Sequence, residues 1–292
     1  MPELPDVESY RRFFSRHAAG RTVRRTVVPD PAILRNTDPQ TLDRALKGRR
    51  FEEPERVGKW LLCWTDGPAL LLHFGMTGFL VWSQDEPERH RHDRVILELD
   101  TGDELRYRNM RKLGGAWLAH DRAEAAEVLG PIGPDALAIR RGEFLERLSE
   151  RRGGVKAALM DQSLIAGVGN LVADEVLWQA RLHPRHQVAA VSEDDRRELY
   201  RTMHAVLKEA VDRYDFIPRK RGWLSYVRGK PGAMCPRCGT PLERITAAGR
   251  TTYFCPRCQP LPRGGPLPPR AASPAVARPT TRAAPRSRRR GR

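Results

Sequence analysis

Near the end of the chain, Cys235-Pro-Arg-Cys238 is followed after sixteen residues by Cys255-Pro-Arg-Cys258. Two thiols separated by two residues sit on one tight knuckle, and two such knuckles close a tetrahedral four-thiolate site of the kind that holds a structural Zn2+ ion. The stretch 228–259 is too short to bury a core of its own, and one zinc ion can supply on the order of 10–16 kcal/mol to fold it. The insert between the knuckles reads as a hairpin, with strands near 242–245 and 251–254. Four protein ligands leave no open position on the metal, so the ion is assigned a structural task. Reduced, metal-binding cysteines suit a reducing compartment better than a disulfide framework does. The fifth cysteine, Cys63, lies in an apolar strand and is expected in the core.

The 292 residues carry 52 Lys and Arg against 36 Asp and Glu, a formal charge of +16. That excess points to a polyanion as partner. Nine arginines and no acid fall in 260–292, a Pro- and Ala-rich stretch too poor in apolar residues to build a core and expected to be a disordered basic tail. The body before it remains basic without that contribution. Charges interrupt any apolar run near the start, and the longest uncharged stretch, 68–84, contains glycines and a histidine and reads as paired strands, not as a membrane span. A cytoplasmic, nucleoid-associated monomer is the expectation.

Taken in order, 6–17 has the cap residue, acidic start and basic finish of a helix. From 22 to 118 the pattern is one of short Val-, Leu-, Trp- and Tyr-rich runs broken by turn signals. Among them are hairpins 60–64/69–74 around Asp66-Gly67 and 94–99/104–107 around Thr101-Gly102-Asp103. A two-layer β-sandwich follows. From 123 the apolar spacing becomes helical, through 144–151, 155–165, 170–180 and 194–214. The resulting fold class is multidomain α+β, divided as 2–122, 123–227, 228–259 and the tail 260–292.

The chain opens Met1-Pro2-Glu3-Leu4-Pro5-Asp6. Removal of Met1 leaves Pro2 as a terminal secondary amine. An α-amine has a pKa near 8, so roughly a tenth of it is uncharged at pH 7 and can attack carbon. Glu3 beside it can give and take a proton. A Met-Pro start is also common without any such role. Further on, Gly167-Val168-Gly169-Asn170 lies between helical stretches. Such glycines admit a phosphate close to backbone amides at a helix N-terminus, or simply end one helix and begin the next.

Three features of this sequence, in this order, resemble the formamidopyrimidine-DNA glycosylase / endonuclease VIII family. They are the Pro-Glu-Leu-Pro start, the segment from Leu159-Met160-Asp161-Gln162 to Asp174-Glu175, and the cysteine pairs with Gly249-Arg250-Thr251-Thr252-Tyr253-Phe254 between them. The resemblance covers 2–259. It implies an N-terminal β-sandwich with a leading helix, a helix–two-turns–helix domain, a C-terminal zinc finger, and double-stranded DNA carrying damaged bases or abasic sites as partner. It implies a base-excision-repair DNA glycosylase with abasic-site lyase activity. Pro2 would be the nucleophile at C1′ and Glu3 its proton shuttle, with β- or β,δ-elimination following. Lys59 resembles the family's lysine near the scissile phosphate. Asn170 and Arg250 resemble its phosphate-gripping pair, and Lys156 aligns with a further lysine that the resemblance implies is a DNA-binding residue.

Attack at C1′ requires a flipped nucleotide and a filled gap, at a cost of a few kcal/mol. Met76, Arg111 and Leu113 fall where the family places its wedge, although Met76 and Leu113 would also suit an ordinary core. Departures include Asp6 for a usual Glu and Asn109-Met110-Arg111-Lys112-Leu113 for Asp-Pro-Arg-Arg-Phe. The short segment 215–234 also lacks the Gly-rich loop that closes over oxidised guanine. Oxidised pyrimidines, ring-opened purines, hydantoins or abasic sites are therefore expected to be better substrates than 8-oxoguanine. The alternatives are a non-catalytic DNA-damage-binding zinc-finger protein and a basic RNA-binding or ribosome-associated zinc ribbon, which would leave the Pro-Glu start unexplained.

Overall fold

The structure, a computed structural model, describes residues 2–213 and 220–261. Met1, 214–219 and 262–292 lie outside the described residues, and with them almost the whole basic tail and the start of the 215–234 segment.

Helix α1 (Leu4–Ala18) begins two residues earlier than its charge pattern predicts, because Glu3 takes the N-cap position and Pro5 fits the first turn, where a missing N–H costs nothing. Asp6 accepts a hydrogen bond from the Glu3 backbone N–H at 2.7 Å. Strands β1 (Val23–Val27), β2 (Glu55–Val57), β3 (Trp60–Trp64), β4 (Ala69–His73), β5 (Gly78–Trp82), β6 (Asp93–Leu99), β7 (Glu104–Asn109) and β8 (Gly115–Ala119) follow. They form two antiparallel four-stranded sheets in the orders β1-β6-β7-β5 and β2-β3-β4-β8. The apolar residues of both sheets meet with Val7, Phe14 and Ala18 of α1 in one core that also buries Cys63.

The region is not purely β. A short helix, α2 (Pro39–Leu46), lies in it, capped by Asp38 through Thr41 N–H and burying Leu42 and Leu46 one turn apart. Its Asp-Pro start is a readable helix signal that the strand pattern around it overrode.

Helix α3 (Arg122–Leu129) packs Ala125, Val128 and Leu129 on the face of the β2-β3-β4-β8 sheet that carries Leu62, Trp64 and Leu71, whereas α4 (Arg141–Ser149), α5 (Val155–Met160), α6 (Asn170–Gln179) and α7 (Glu193–Arg213) build the second core. Helix α5 stops at Met160 instead of running to 165, because the Asp161 side chain accepts from the backbone N–H and hydroxyl of Ser163 and turns the chain. Leu4 belongs to this helical core, whereas Val7 and Phe14 belong to the sandwich core. Helix α1 is thus shared by both, and the first residues of the chain are carried to their junction.

A single turn of helix, α8 (Leu224–Val227), precedes the β9 (Glu243–Ala247) and β10 (Arg250–Phe254) hairpin. Its two-residue turn has positive φ at both Ala248 and Gly249, the geometry that suits a tight antiparallel hairpin. Among the described residues no helix is long and apolar enough to cross a membrane.

Candidate active site

Glu3 is 1% exposed, yet its carboxylate is saturated. Oε2 accepts from the backbone N–H groups of Gly169 and Val172, each at 3.0 Å, and Oε1 from Leu171 at 2.8 Å. Those amides open α6, whose N-cap residue, Gly169, has no side chain to serve them. A carboxylate from the far end of the sequence caps the helix in its place, where the helix dipole favours negative charge. Gly169 is required by space, since a Cβ there would stand 2.3 Å from Glu3 Cδ. At Gly167, φ is +108° and a Cβ would meet Leu4 Cδ1 at 2.5 Å. Leu4 N–H donates to the Gly167 carbonyl, and Gln162 braces the same loop by accepting from Gly167 N–H and donating to the Val168 carbonyl. The two glycines therefore shape a loop around Pro2-Glu3-Leu4.

Burial pushes the Glu3 carboxyl above its ordinary pKa, against the pull of the Lys59 ammonium and of the Leu171 and Val172 amides. Burial likewise pushes Lys59 down, opposed by Glu3 and assisted by the Arg250 guanidinium. Glu3, Lys59 and Arg250, from three separate parts of the sequence, thus share one electrostatic neighbourhood. His73, half-buried and facing the Lys59 charge, is depressed to about 4 by desolvation first and by that charge second, and is neutral at physiological pH.

Lys156 is fully buried. Its Nζ donates to Asp174 Oδ1 at 2.6 Å, Asn170 Oδ1 at 2.7 Å and Thr252 Oγ1 at 2.5 Å, which uses all three ammonium hydrogens. Asn170 Nδ2 donates to the Thr251 carbonyl, and Arg228 joins Asp174 at 2.8 Å and the Thr251 carbonyl at 2.9 Å. The cluster ties α5, α6 and β10 together. It leaves Asn170 half-buried and Arg250 exposed at the hairpin turn.

Met76 and Leu113 are 42% and 53% exposed, so neither is core. Their loops pack backbone against backbone. A Cβ on Gly75 would lie 2.4 Å from Gly114 N, and one on Gly114 would lie 1.9 Å from the His73 carbonyl oxygen. Thr77 Oγ1 accepts from Arg111 N–H, and Arg111 Nη1 stands 3.5 Å from Met76 Sδ. Met76, Arg111 and Leu113 thereby project from one platform.

In the finger, Cys238 Sγ lies 3.4 Å from Cys258 Sγ and 3.5 Å from Cys255 Sγ, with Cys235 Sγ 3.9 Å from Cys258 Sγ. All four sulfurs fall within 4.8 Å of one another. A tetrahedron with Zn–S bonds of about 2.3 Å has edges of roughly 3.8 Å, so the four thiols fit one zinc ion. Gln259, fully buried, locks the second knuckle to the helical part by accepting from Cys255 N–H and donating to the Leu182 carbonyl.

Comparison with known proteins decides the family. Residues 1–116 match the formamidopyrimidine-DNA glycosylase N-terminal domain, 132–218 its H2TH domain, and 234–261 the zinc finger found in FPG and IleRS. The chain belongs to the formamidopyrimidine-DNA glycosylase family. The glycosylase of Symbiobacterium thermophilum is 38% identical over 287 residues, covering 94% of each chain. That of Nocardioides sp. is 39% identical over 282 residues, 90% of this chain and 96% of the other. Among solved structures, Lactococcus lactis Fpg (MutM) with DNA containing N7-benzyl-Fapy-dG aligns at a TM-score of 0.79 and 29% identity, covering 89% and 100% of the two chains. The same enzyme with DNA containing an oxidized pyrimidine aligns at 0.81 and 28%, with the same coverage.

Several residues around this site carry no role legible from sequence: Gln162, Asp174, Arg228, Thr252 and Gln259; Asp6, expected to cap α1, instead accepts from the Glu3 amide from inside its first turn. Gln162, Asp174 and Thr252 stand inside motifs that were recognisable. Their tasks were not, because each acts on a backbone group or side chain distant in sequence.

Proposed function

We propose that Pro2 is the nucleophile through which this chain, a base-excision-repair DNA glycosylase with abasic-site lyase activity, attacks C1′ of a damaged nucleotide. After Met1 is removed, the Pro2 lone pair forms the N–C1′ bond as the C1′–N bond to the base breaks and the base leaves with a proton. Opening of the sugar gives an iminium, which draws electrons from C2′ and acidifies its proton. Loss of that proton expels the 3′ phosphate, a second elimination can expel the 5′ phosphate, and hydrolysis of the imine frees Pro2.

Glu3 is the proton shuttle. The observation that carries this reading is its placement: a buried carboxyl fixed by three backbone amides beside the chain terminus, with a pKa raised toward the range useful for acid–base work. Lys59, desolvated and facing Glu3, supplies positive charge for the phosphate next to the reacting sugar. Asn170 and Arg250 grip the backbone of damaged or abasic double-stranded DNA through charge-assisted contacts. Met76, Arg111 and Leu113 fill the gap left by the flipped nucleotide. We assign Lys156 the task of orienting Asn170 and the hairpin, since its hydrogens are all engaged within the protein. Zinc, bound by Cys235, Cys238, Cys255 and Cys258, fixes the finger that presents Arg250. The domain limits 2–122, 123–227 and 228–259 are proposed on the same basis, and DNA of the nucleoid is the proposed site of action.

The catalytic reading stands over the non-catalytic damage-binding one because 90% or more of the chain matches glycosylases and the match to their N-terminal domain includes the start. For substrates we propose oxidised pyrimidines, ring-opened purines, hydantoins and abasic sites ahead of 8-oxoguanine. Support comes from the shortness of 215–234. Single-turnover cleavage of each lesion in matched duplexes, by wild type and by Pro2→Gly and Glu3→Gln, tests both parts. Both variants should lose base excision, and 8-oxoguanine opposite cytosine should be slow. Full activity of Pro2→Gly would overturn the mechanism, and 8-oxoguanine cleaved fastest would overturn the preference.

A further inference from the structure

We infer that Asp135 is a positioning residue that registers Lys59 against the loop holding Glu3, across the junction of the sandwich and the helical part. Lys59 follows Gly58 in the turn between β2 and β3. Gly58 N–H donates to Asp135 Oδ2 at 2.9 Å, and Arg56 in β2 grips the same carboxylate in a bidentate pair, Nη2 standing 3.2 Å from Oδ1. Arg56 Nε also reaches Glu8 Oε2 of α1 at 3.0 Å, so the pair is anchored to the helix that carries Pro2 and Glu3.

On its other side Asp135 belongs to the strand-like segment that flanks the glycine loop. Ala166 N–H donates to the Pro134 carbonyl and Ala136 N–H to the Ala166 carbonyl, both at 2.9 Å. Gly58 itself rests on that loop. Its φ is +57°, and a Cβ there would stand 2.7 Å from Ala166 Cβ and 3.2 Å from Gly167 N. The turn bearing Lys59 and the loop cradling Glu3 are therefore in direct contact, and the Asp135 carboxylate fixes the turn through one backbone amide and one guanidinium. Because the Arg56 charge neutralises that of Asp135, the effect on Lys59 is one of placement. A misplacement of about 1 Å at a reacting group can cost roughly a hundredfold in rate.

The inference rests on Lys59 acting in the reaction, and a double-mutant cycle separates the two. Borohydride trapping on an abasic-site duplex is measured under single turnover for wild type, Asp135→Asn, Lys59→Ala and the double variant, alongside duplex affinity. Asp135→Asn is expected to slow trapping roughly ten- to a hundredfold with affinity within about twofold. In the Lys59→Ala background it should cost less than about twofold, because residues acting through one another are non-additive. Unchanged trapping in Asp135→Asn, fully additive losses, or a loss of affinity as large as the loss of rate would overturn the inference. A wild-type rate in Lys59→Ala would instead sink the role of Lys59 itself. If Asp135→Asn melts below the assay temperature, Arg56→Lys, which keeps the charge and loses the bidentate fork, enters the same cycle under the same criteria.

Discussion

The Glu3 cradle and the Met76–Arg111–Leu113 platform are both built on glycines, and to opposite ends. At Gly167 and Gly169 the missing side chains let a carboxylate be drawn out of water and held by backbone amides. At Gly75 and Gly114 they let two loops press together so that apolar side chains are pushed into water. Desolvation shifts the proton affinity of Glu3, which acid–base chemistry needs. Exposure of Met76 and Leu113 carries a cost that only a partner can recover, which a wedge into a base stack needs. Glycine spacing alone does not tell the two uses apart. The neighbours do, a carboxylate in one case and a carbonyl backbone in the other.

The comparison breaks most readily at Glu3. Glu3→Gln cannot transfer the proton and turns an amide N–H toward backbone donors, so single-turnover base excision should fall about 10²- to 10⁴-fold while DNA affinity holds. A loss under tenfold would mean that the cradle is structural only.

Next in size is Lys156→Met. It leaves Asp174 with Arg228 as its remaining cation, and chemical denaturation should show a loss of about 3 kcal/mol, accompanied by weaker DNA binding as Asn170 and the hairpin loosen. Stability at the wild-type level would place Lys156 outside the framework and restore it as a direct contact.

At the platform, Leu113→Ala should lower excision by roughly tenfold, on the order of the 1.5 kcal/mol gained by burying such a side chain, with no loss of melting temperature. Gly114→Ala should lose at least as much activity and also destabilise the fold by about 1–3 kcal/mol, because its Cβ would collide with the His73 carbonyl. Equal stability of the two variants would contradict the backbone packing.

The smallest effect is one of pH. Above about 4.5 the unfolded Glu3 side chain has released its proton, whereas the folded one, with its raised pKa, retains it to higher pH. Proton binding therefore favours the folded state at low pH, and that contribution is lost as pH rises through the folded value. The melting temperature of wild type relative to Glu3→Gln should decline between pH 5 and pH 8, and a flat difference would argue against a raised pKa.

Much of this arrangement was legible in the sequence. The four cysteines and their hairpin are fixed by spacing, and the two central hairpins by Asp66-Gly67 and Thr101-Gly102-Asp103 between apolar runs. Pro2 and Glu3 stand out as an imino acid and a carboxylate side by side in the Pro-Glu-Leu-Pro motif. What sequence did not disclose depends on contacts across many residues. Lys156 reads as a DNA-binding lysine until α5, α6 and β10 close around it, and Gly169 reads as a cap without a side chain until Glu3 arrives from 166 residues away. Asp6, a departure from the family's usual residue, turns out to hold the Glu3 amide. Helix α2 was hidden by the strands on either side of it.

The central claim is that the chain-terminal imino nitrogen of Pro2 is delivered to a sugar carbon. Its most direct test is to reduce the complex of natively processed protein and an abasic-site duplex with borohydride, digest it, and locate the added sugar by mass spectrometry. The account predicts a peptide that begins at Pro2 and carries the adduct on its terminal nitrogen. An adduct on Lys59 or any other residue, or active protein that still retains Met1, would contradict it.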